Sequence, residues 1–323
     1  MRKIAFLLLM LTLWNCAKED KLKRSTGAVF GTSYGIIYDA DADFQADFDR
    51  LYELINESMS TYLPNSRISK INRNELVSID TLFEEVLLKS YEIYESTNGV
   101  FDPTIGAVVN AWDFGPEGQI MELDSLKIDS LMQSVGLDKV TLESKQLNKP
   151  EGTYIDFNAI AKGYAVDVIA EFLDDQDVDN YLVEIGGEIR VKGQNIEKSS
   201  DWTVGIDRPN FDGSQSVLSA LALKNEAMAT SGTYRKFKTD SLGNRYAHII
   251  DTESGYPSKT NILSVSVIAS NCMTADAYAT AFQAMGIDGV KEFLKSHAEL
   301  KVFLVFENAN KELETLALNG FPE

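Results

Sequence analysis

The stretch from Tyr154 to Phe172, YIDFNAIAKGYAVDVIAEF, constrains the fold more than any other part of the chain. It opens with strand-like residues around one carboxylate, Asp156, and turns at Asn158–Ala159. Helical spacing follows, with Lys162 and Gly163 in the first turn, so the segment predicts a short strand, a turn and a helix. A helix start leaves backbone N–H groups unpaired and carries partial positive charge, which suits an anion. A lysine in that turn works against helix stability, because cations favour the opposite end. Lys162 is therefore either a solvated lysine on an amphipathic helix or one kept there to meet a ligand.

The rest of the chain surrounds this segment with short elements. Ala28–Tyr38 reads as a strand or hairpin arm, while 44–60 and 82–96 have helical apolar spacing. GVFDPTIGAVVNAWDFGPEG predicts an ordered loop around a short helix, and 125–135 a further helix. Strands are expected on both sides of Gly186–Gly187, over 202–206, 216–223 and 263–269, and last in LKVFLVFE. A helix from Met273 closes at Gly286, and another runs over 290–296. Strands outnumber helices without strict alternation. That pattern predicts an α+β fold, with mixed or antiparallel sheets and packed helices.

The net charge of −19 argues against a nucleic-acid surface. An anionic substrate would have to be met locally, by lysine, backbone N–H or metal. Asp276 and Thr280 are four apart and share one helix face beside small alanines, which suits a hard cation such as magnesium. The competing reading makes Asp276 a first-turn helix stabiliser and Thr280 a filler. His248, in AHIID, stands at a strand end and either moves a proton or is held structurally. With two histidines and so few cysteines, a zinc or iron site is not expected. The chain contains no G-x-S-x-G elbow, Walker A or G-x-G-x-x-G fingerprint.

At the N-terminus, Arg2–Lys3 precede the apolar run IAFLLLMLTLW, which ends at Asn15–Cys16. This resembles a bacterial lipoprotein signal, with an ordinary cleaved signal peptide as the alternative. The implied division is a signal peptide over 1–15, lipidated Cys16 with a tether to residue 27, and a domain over 28–323. The resemblance implies an exported protein, lipid-anchored on the periplasmic side of the inner or outer membrane. Lys18-Glu19-Asp20 is similar to an acidic surface-export tag, which adds surface exposure as an option.

Eight motifs in order, FGTSY, STYLPNSRISKIN, GVFDPTIGAVVNAWDFG, IDFNAIAKGYAVD, LVEIGGEIRVKG, ATSGTYR, AHIIDTESGYP and TADAYATAF, resemble the ApbE family of FAD:protein FMN transferases. The resemblance implies a single catalytic domain related to the T-fold. It also implies a magnesium-dependent flavinylation reaction: FAD is split, FMN is attached through a phosphoester to a threonine of a target flavoprotein, and AMP is released. The implied alternatives are a FAD pyrophosphatase giving FMN and AMP, or a non-catalytic FAD-binding lipoprotein. Metal ligands would be Asp276, Thr280 and the Ala159 carbonyl. FAD would be contacted by Phe30, Tyr62, Trp112, Asp113, Phe114, Asp156, Lys162 and Ile250. His248 and Asp276 would be catalytic. Expected partners are FAD and flavoprotein subunits of electron-transport complexes of the Nqr or Rnf kind.

Overall fold

The structure, a computed structural model, describes residues 22–234, 237–239 and 245–322. The signal segment 1–15, Cys16 and Arg235 of ATSGTYR lie outside the described residues. The chain opens with a hairpin of β1 (Lys23–Val29) and β2 (Thr32–Tyr38), paired from Lys23↔Tyr38 to Val29↔Thr32. Phe30 and Gly31 form its turn, both at positive φ, the two-residue geometry that matches strand twist. β1 thus begins ahead of residue 28, because residues expected to be tether complete a backbone ladder with β2.

Next come α1 (Gln45–Met59), α2 (Arg67–Asn72) and α3 (Thr81–Ser96). α1 buries Phe48, Tyr52, Ile55 and Met59, one stripe at helical spacing. Ser66 caps α2 by accepting from the Ser69 N–H at 3.2 Å. Asp80 caps α3 through the Phe83 N–H at 2.8 Å and also holds Arg67 at 2.9 Å. α4 (Gly106–Ala111), α5 (Ser125–Met132) and the small hairpin of β3 (Thr141–Glu143) and β4 (Gln146–Asn148) lead to α6 (Ala161–Asp175).

The strand expected at Tyr154–Asp156 is reduced to one parallel bridge between Tyr154 and Ile105. Its backbone is satisfied elsewhere, which is why no ladder forms. The Asn72 side chain accepts from the Ile155 N–H at 2.8 Å and donates to the Ile155 carbonyl at 2.9 Å. The Asp156 N–H donates to the Pro103 carbonyl at 2.8 Å.

β5 (Tyr181–Ile185) and β6 (Glu188–Lys192) form a hairpin through Gly186–Gly187, both at positive φ. β7 (Trp202–Asp207) and β8 (Val217–Leu223) form a separate hairpin, followed by β9 (Ala227–Gly232). β10 (Phe237–Thr239) pairs with β11 (Arg245–Ala247). β12 (Ile262–Ala269) leads into α7 (Cys272–Phe293), which leaves helical geometry at Gly286. β13 (Lys301–Glu307) is not the last strand: β14 (Leu313–Leu318) pairs beside it and covers its edge.

Eight strands make the main sheet, in the order β1-β2-β5-β6-β9-β12-β13-β14, and every neighbouring pair is antiparallel. The architecture is α+β. Alternation along the strands divides the core in two. Val183, Ala227, Val265, Val302 and Leu304 face the helical side, packed with Ala165, Ile169 and Phe282 of α6 and α7. Val191, Met228, Ile268, Phe303 and Val305 face the other side, which the β7–β8 hairpin covers with Trp202, Val204 and Leu221.

Candidate active site

The site is set by the crossing of α6 and α7. α6 starts without a side-chain cap, since Ile160 has no oxygen to offer. α7 is tied to α6 through its own first turn. Both Asp167 oxygens, on α6, accept from α7 backbone: the Cys272 N–H at 2.9 Å and the Met273 N–H at 2.7 Å. Arg190 of β6 adds an ion pair to the same carboxylate at 2.8 Å. One turn along α7, Asp276 therefore lies against the start of α6, where its Oδ2 accepts from the Gly163 N–H at 2.9 Å.

Lys162 reaches across to Glu188 at the head of β6 and forms an ion pair with its Oε1. Lys162 is thus not the freely solvated surface residue that one reading allowed. Two buried acids and one half-buried lysine now stand together. Burial pushes the Asp276 carboxyl up, against the opposing pull of Lys162 and the Gly163 N–H. Burial likewise raises Glu188 to about 7, with Lys162 opposing and Asp276 adding to the rise. For Lys162, burial acts to lower the pKa, but the Glu188 and Asp276 charges outweigh it and the ammonium is held charged.

An excess of negative charge in an enclosed place fits a cation. Asp276 is 6% exposed, and Thr280 follows one helical turn later on the same face. The Thr280 hydroxyl has no hydrogen bond among the described residues. The half-buried Ala159 lies in the turn that leads into α6. Carboxylate, hydroxyl and carbonyl oxygens are the hard donor set that magnesium takes. No group of three or more His, Cys, Asp or Glu comes together among the described residues, so any cation here would rely on such mixed oxygens.

The predicted flavin-contacting residues fall into neighbouring groups. Trp112, Asp113 and Phe114 follow α4, with Asp113 at φ 61°. The Trp112 indole N–H donates to the Gly255 carbonyl at 2.9 Å, and its ring meets Tyr246 and Tyr256, each at 5.8 Å. Phe114 contacts Tyr246 at 6.1 Å and His248 at 6.3 Å. Lys238 of β10 bonds Asp113 and stands 5.3 Å from the centre of the Phe114 ring. Ile250 is buried with Val108 and Val135 in a small cluster against which Trp112 packs.

On another side, Asp156 accepts from the Asn158 N–H at 2.8 Å, and its charge reaches Tyr62. Partial burial and then Asp156 raise the Tyr62 hydroxyl, while the side chain as a whole remains 59% exposed. Phe30 meets Tyr52 edge-on at 5.6 Å. Its turn abuts the Gly186 turn, because a Cβ at Gly186 would lie 2.9 Å from Thr32 and 3.3 Å from Glu188 Oε2.

Sequence reasoning missed Glu188, Lys238 and Tyr246. Glu188 had a signal, a carboxylate directly after a Gly–Gly turn on a strand otherwise rich in apolar residues. Lys238 and Tyr246 had none, since only the β10–β11 pairing brings them to Phe114.

The model of the ApbE family matches residues 30–304. The FAD:protein FMN transferase of Haemophilus influenzae is 36% identical over 320 residues, covering 93% of this chain and 91% of its own. That of Vibrio cholerae is 37% identical over 290 residues, covering 86% and 85%. Among solved structures, the flavin transferase ApbE from Vibrio cholerae superposes with a TM-score of 0.82 at 33% identity, covering 92% of this chain and 97% of its own. The apo flavinyl transferase ApbE of Pseudomonas stutzeri gives the same TM-score at 25% identity, covering 92% and 95%. With its fold, its motifs and its relatives in agreement, the chain belongs to the ApbE family, a family of transferases.

Proposed function

We propose that this chain is a FAD:protein FMN transferase that moves FMN from FAD to a threonine hydroxyl of a target flavoprotein and releases AMP. The observation that carries this reading is the convergence of Lys162 and Asp276 at the α6–α7 crossing, one helical turn before Thr280. Asp276, Thr280 and the Ala159 carbonyl would hold magnesium, which when bound supplies positive charge to the pyrophosphate. Lys162 adds a fixed ammonium to the same charge. Trp112, Phe114, Tyr62 and Phe30 offer ring faces for the flavin or adenine, and Asp113, Asp156 and Ile250 shape the remaining contacts.

In the transfer, a bond forms between the threonine oxygen and the FMN phosphorus. The bond from that phosphorus to the bridging oxygen breaks, and AMP leaves with that oxygen. His248, whose ring meets Phe114, would take the hydroxyl proton. Cys272 is no nucleophile: it is fully buried, and burial pushes its thiol well above the usual range. The acceptor hydroxyl therefore attacks directly.

The proposed setting is extracytoplasmic. The N-terminal resemblance supports a lipid anchor at Cys16, on the periplasmic side of the inner or outer membrane or at the cell surface. Among the described residues no helix is long and apolar enough to cross a membrane. The proposed targets are flavoprotein subunits of electron-transport complexes of the Nqr or Rnf kind. The test is to incubate the protein with FAD, magnesium and such a subunit, and to weigh the subunit by mass spectrometry. An FMN increment on a threonine is expected. Free FMN and AMP with no increment on any acceptor would instead make the chain a FAD pyrophosphatase. Tight FAD binding without turnover under any metal would make it a flavin-binding protein.

A further inference from the structure

Besides Asp276, two buried carboxylates sit near the α6–α7 crossing, and they differ in a telling way. Asp167 has both oxygens satisfied, by two backbone N–H groups and Arg190, as a structural clamp should. Glu188 is 2% exposed, yet only its Oε1 is bonded, to Lys162. Its Oε2 has no hydrogen-bond partner among the described residues. An orphaned oxygen on a buried carboxylate is destabilising, and a hydrophobic pair of similar volume often holds a fold as well or better. Stability is therefore a poor account of why Glu188 stands here.

Its geometry offers a better one. Lys162 projects from the first turn of α6, and its side chain is 35% exposed. A lysine so placed has many rotamers and no intrinsic reason to favour one. Glu188 enters from a different element, rigidly placed at the first residue of β6 next to the Gly186–Gly187 turn. The ion pair pins the ammonium between α6 and that turn, on the side where Asp276 lies.

We infer that Glu188 is a positioning residue for the transfer reaction, holding the Lys162 ammonium in the place where charge develops as the FAD pyrophosphate breaks. This rests on the transferase reading above. A preset ammonium needs no reorganisation during the reaction, and that benefit appears in kcat. The same pairing partly neutralises Lys162 before substrate arrives, so Glu188 adds nothing to ground-state attraction for FAD.

The test compares Glu188→Gln with wild type, Lys162→Ala and the double variant in the FMN-transfer assay. Glu188→Gln keeps size and an oxygen for Lys162 but loses the charge that fixes it. Its kcat should fall roughly 10- to 100-fold, the scale of a small misplacement of a reacting group. Its KM for FAD should stay within about threefold of wild type or drop, since Lys162 is then less neutralised. In the Lys162→Ala background, Glu188→Gln should produce no further loss, because Glu188 acts only through Lys162. Wild-type kcat in Glu188→Gln, or losses that multiply in the double variant, would overturn the inference. Should Glu188→Gln fail to fold by circular dichroism, Glu188→Asp retains the charge but retracts it by one methylene. It should show the same loss in kcat, and full activity there overturns the inference equally. A wild-type protein that transfers no FMN would count against the proposed function instead.

Discussion

Gly163 and Asp276 touch at the point where α6 crosses α7. The Gly163 N–H donates to Asp276 Oδ2 at 2.9 Å, and a Cβ on Gly163 would lie 2.4 Å from the Cys272 carbonyl oxygen and 2.7 Å from the Asp276 Cβ. The obstacle is backbone, which cannot swing aside as a side chain can. Gly163→Ala must therefore push the helices apart, at about 1–3 kcal/mol for overpacking. It should also move Asp276 from its place, lowering the transfer rate by more than about tenfold. Urea unfolding and FMN transfer, measured on the same preparation, check both halves.

Asp276 itself should show the opposite balance. Burial disfavours its charge, so Asp276→Asn relieves the fold of a buried anion while removing the proposed metal ligand. Thermal unfolding should occur no lower than in wild type, and transfer should be abolished. A chelator should silence the wild-type enzyme and added magnesium should restore it. An unchanged rate in the variant would remove Asp276 from the metal site.

Lys162→Ala should weaken FAD handling without unfolding the protein. The lysine sits at the helix end that disfavours cations, so α6 itself loses little. Glu188, already raised to about 7 beside Lys162, can take up a proton once the lysine is gone. Loss of a charge-assisted hydrogen bond predicts a KM for FAD about 10- to 100-fold higher. Loss of the charge that meets the breaking pyrophosphate predicts a kcat at least about 10-fold lower, a fall no smaller than in Glu188→Gln. Titration calorimetry with FAD, beside a circular dichroism melt, separates binding from folding.

Asp102 predicts a pH dependence of stability away from the site. It is 7% exposed, and its Oδ1 accepts from the Thr104 N–H at 2.8 Å and the Thr104 hydroxyl at 2.6 Å. Burial raises its pKa above 3.8, although those hydrogen bonds oppose the rise. A carboxyl whose folded pKa exceeds its unfolded one binds protons more strongly in the native state. Its contribution is fully present below the unfolded value and is lost as pH rises through the folded value. Asp102→Asn retains the accepting oxygen and cannot ionise. It should flatten this part of the stability profile and stabilise the protein at neutral pH, as read by denaturant midpoints across pH.

Lys238→Met should leave stability nearly unchanged, since a half-exposed ion pair contributes about 0–1 kcal/mol. Asp113, at φ 61°, loses the partner that ties it to β10, and Phe114 loses the ammonium near its ring. A KM for FAD raised roughly threefold, with kcat unaltered, is the expected result.

What the sequence determined on its own was local. Apolar spacing over a few turns placed α1, α3 and α6, and Gly286 ended the helical run of α7 where its φ of 74° now stands. Lys162 at the wrong end of a helix pointed to the candidate site, because local preference can be read from neighbouring residues alone. Tyr154–Asp156 looked like a strand for the same reason. It is not one, since Asn72 and Pro103, distant in sequence, satisfy its backbone. β14 had an alternating apolar pattern too weak to read until β13 offered it an edge.

Only the tertiary structure decided what Lys162 is paired with and where Asp276 points. Glu188 reaches the lysine because β6 lies beside β5 in the sheet and α6 packs over both. Asp276 reaches the same place because Gly163, lacking a Cβ, lets α7 approach α6 closely. Those distances depend on how strands are ordered and how near two helices come. Gly163, next to Lys162, permits a close approach, but nothing beside the lysine specifies which helix or which strand makes it. The distances arise only when the whole core is packed.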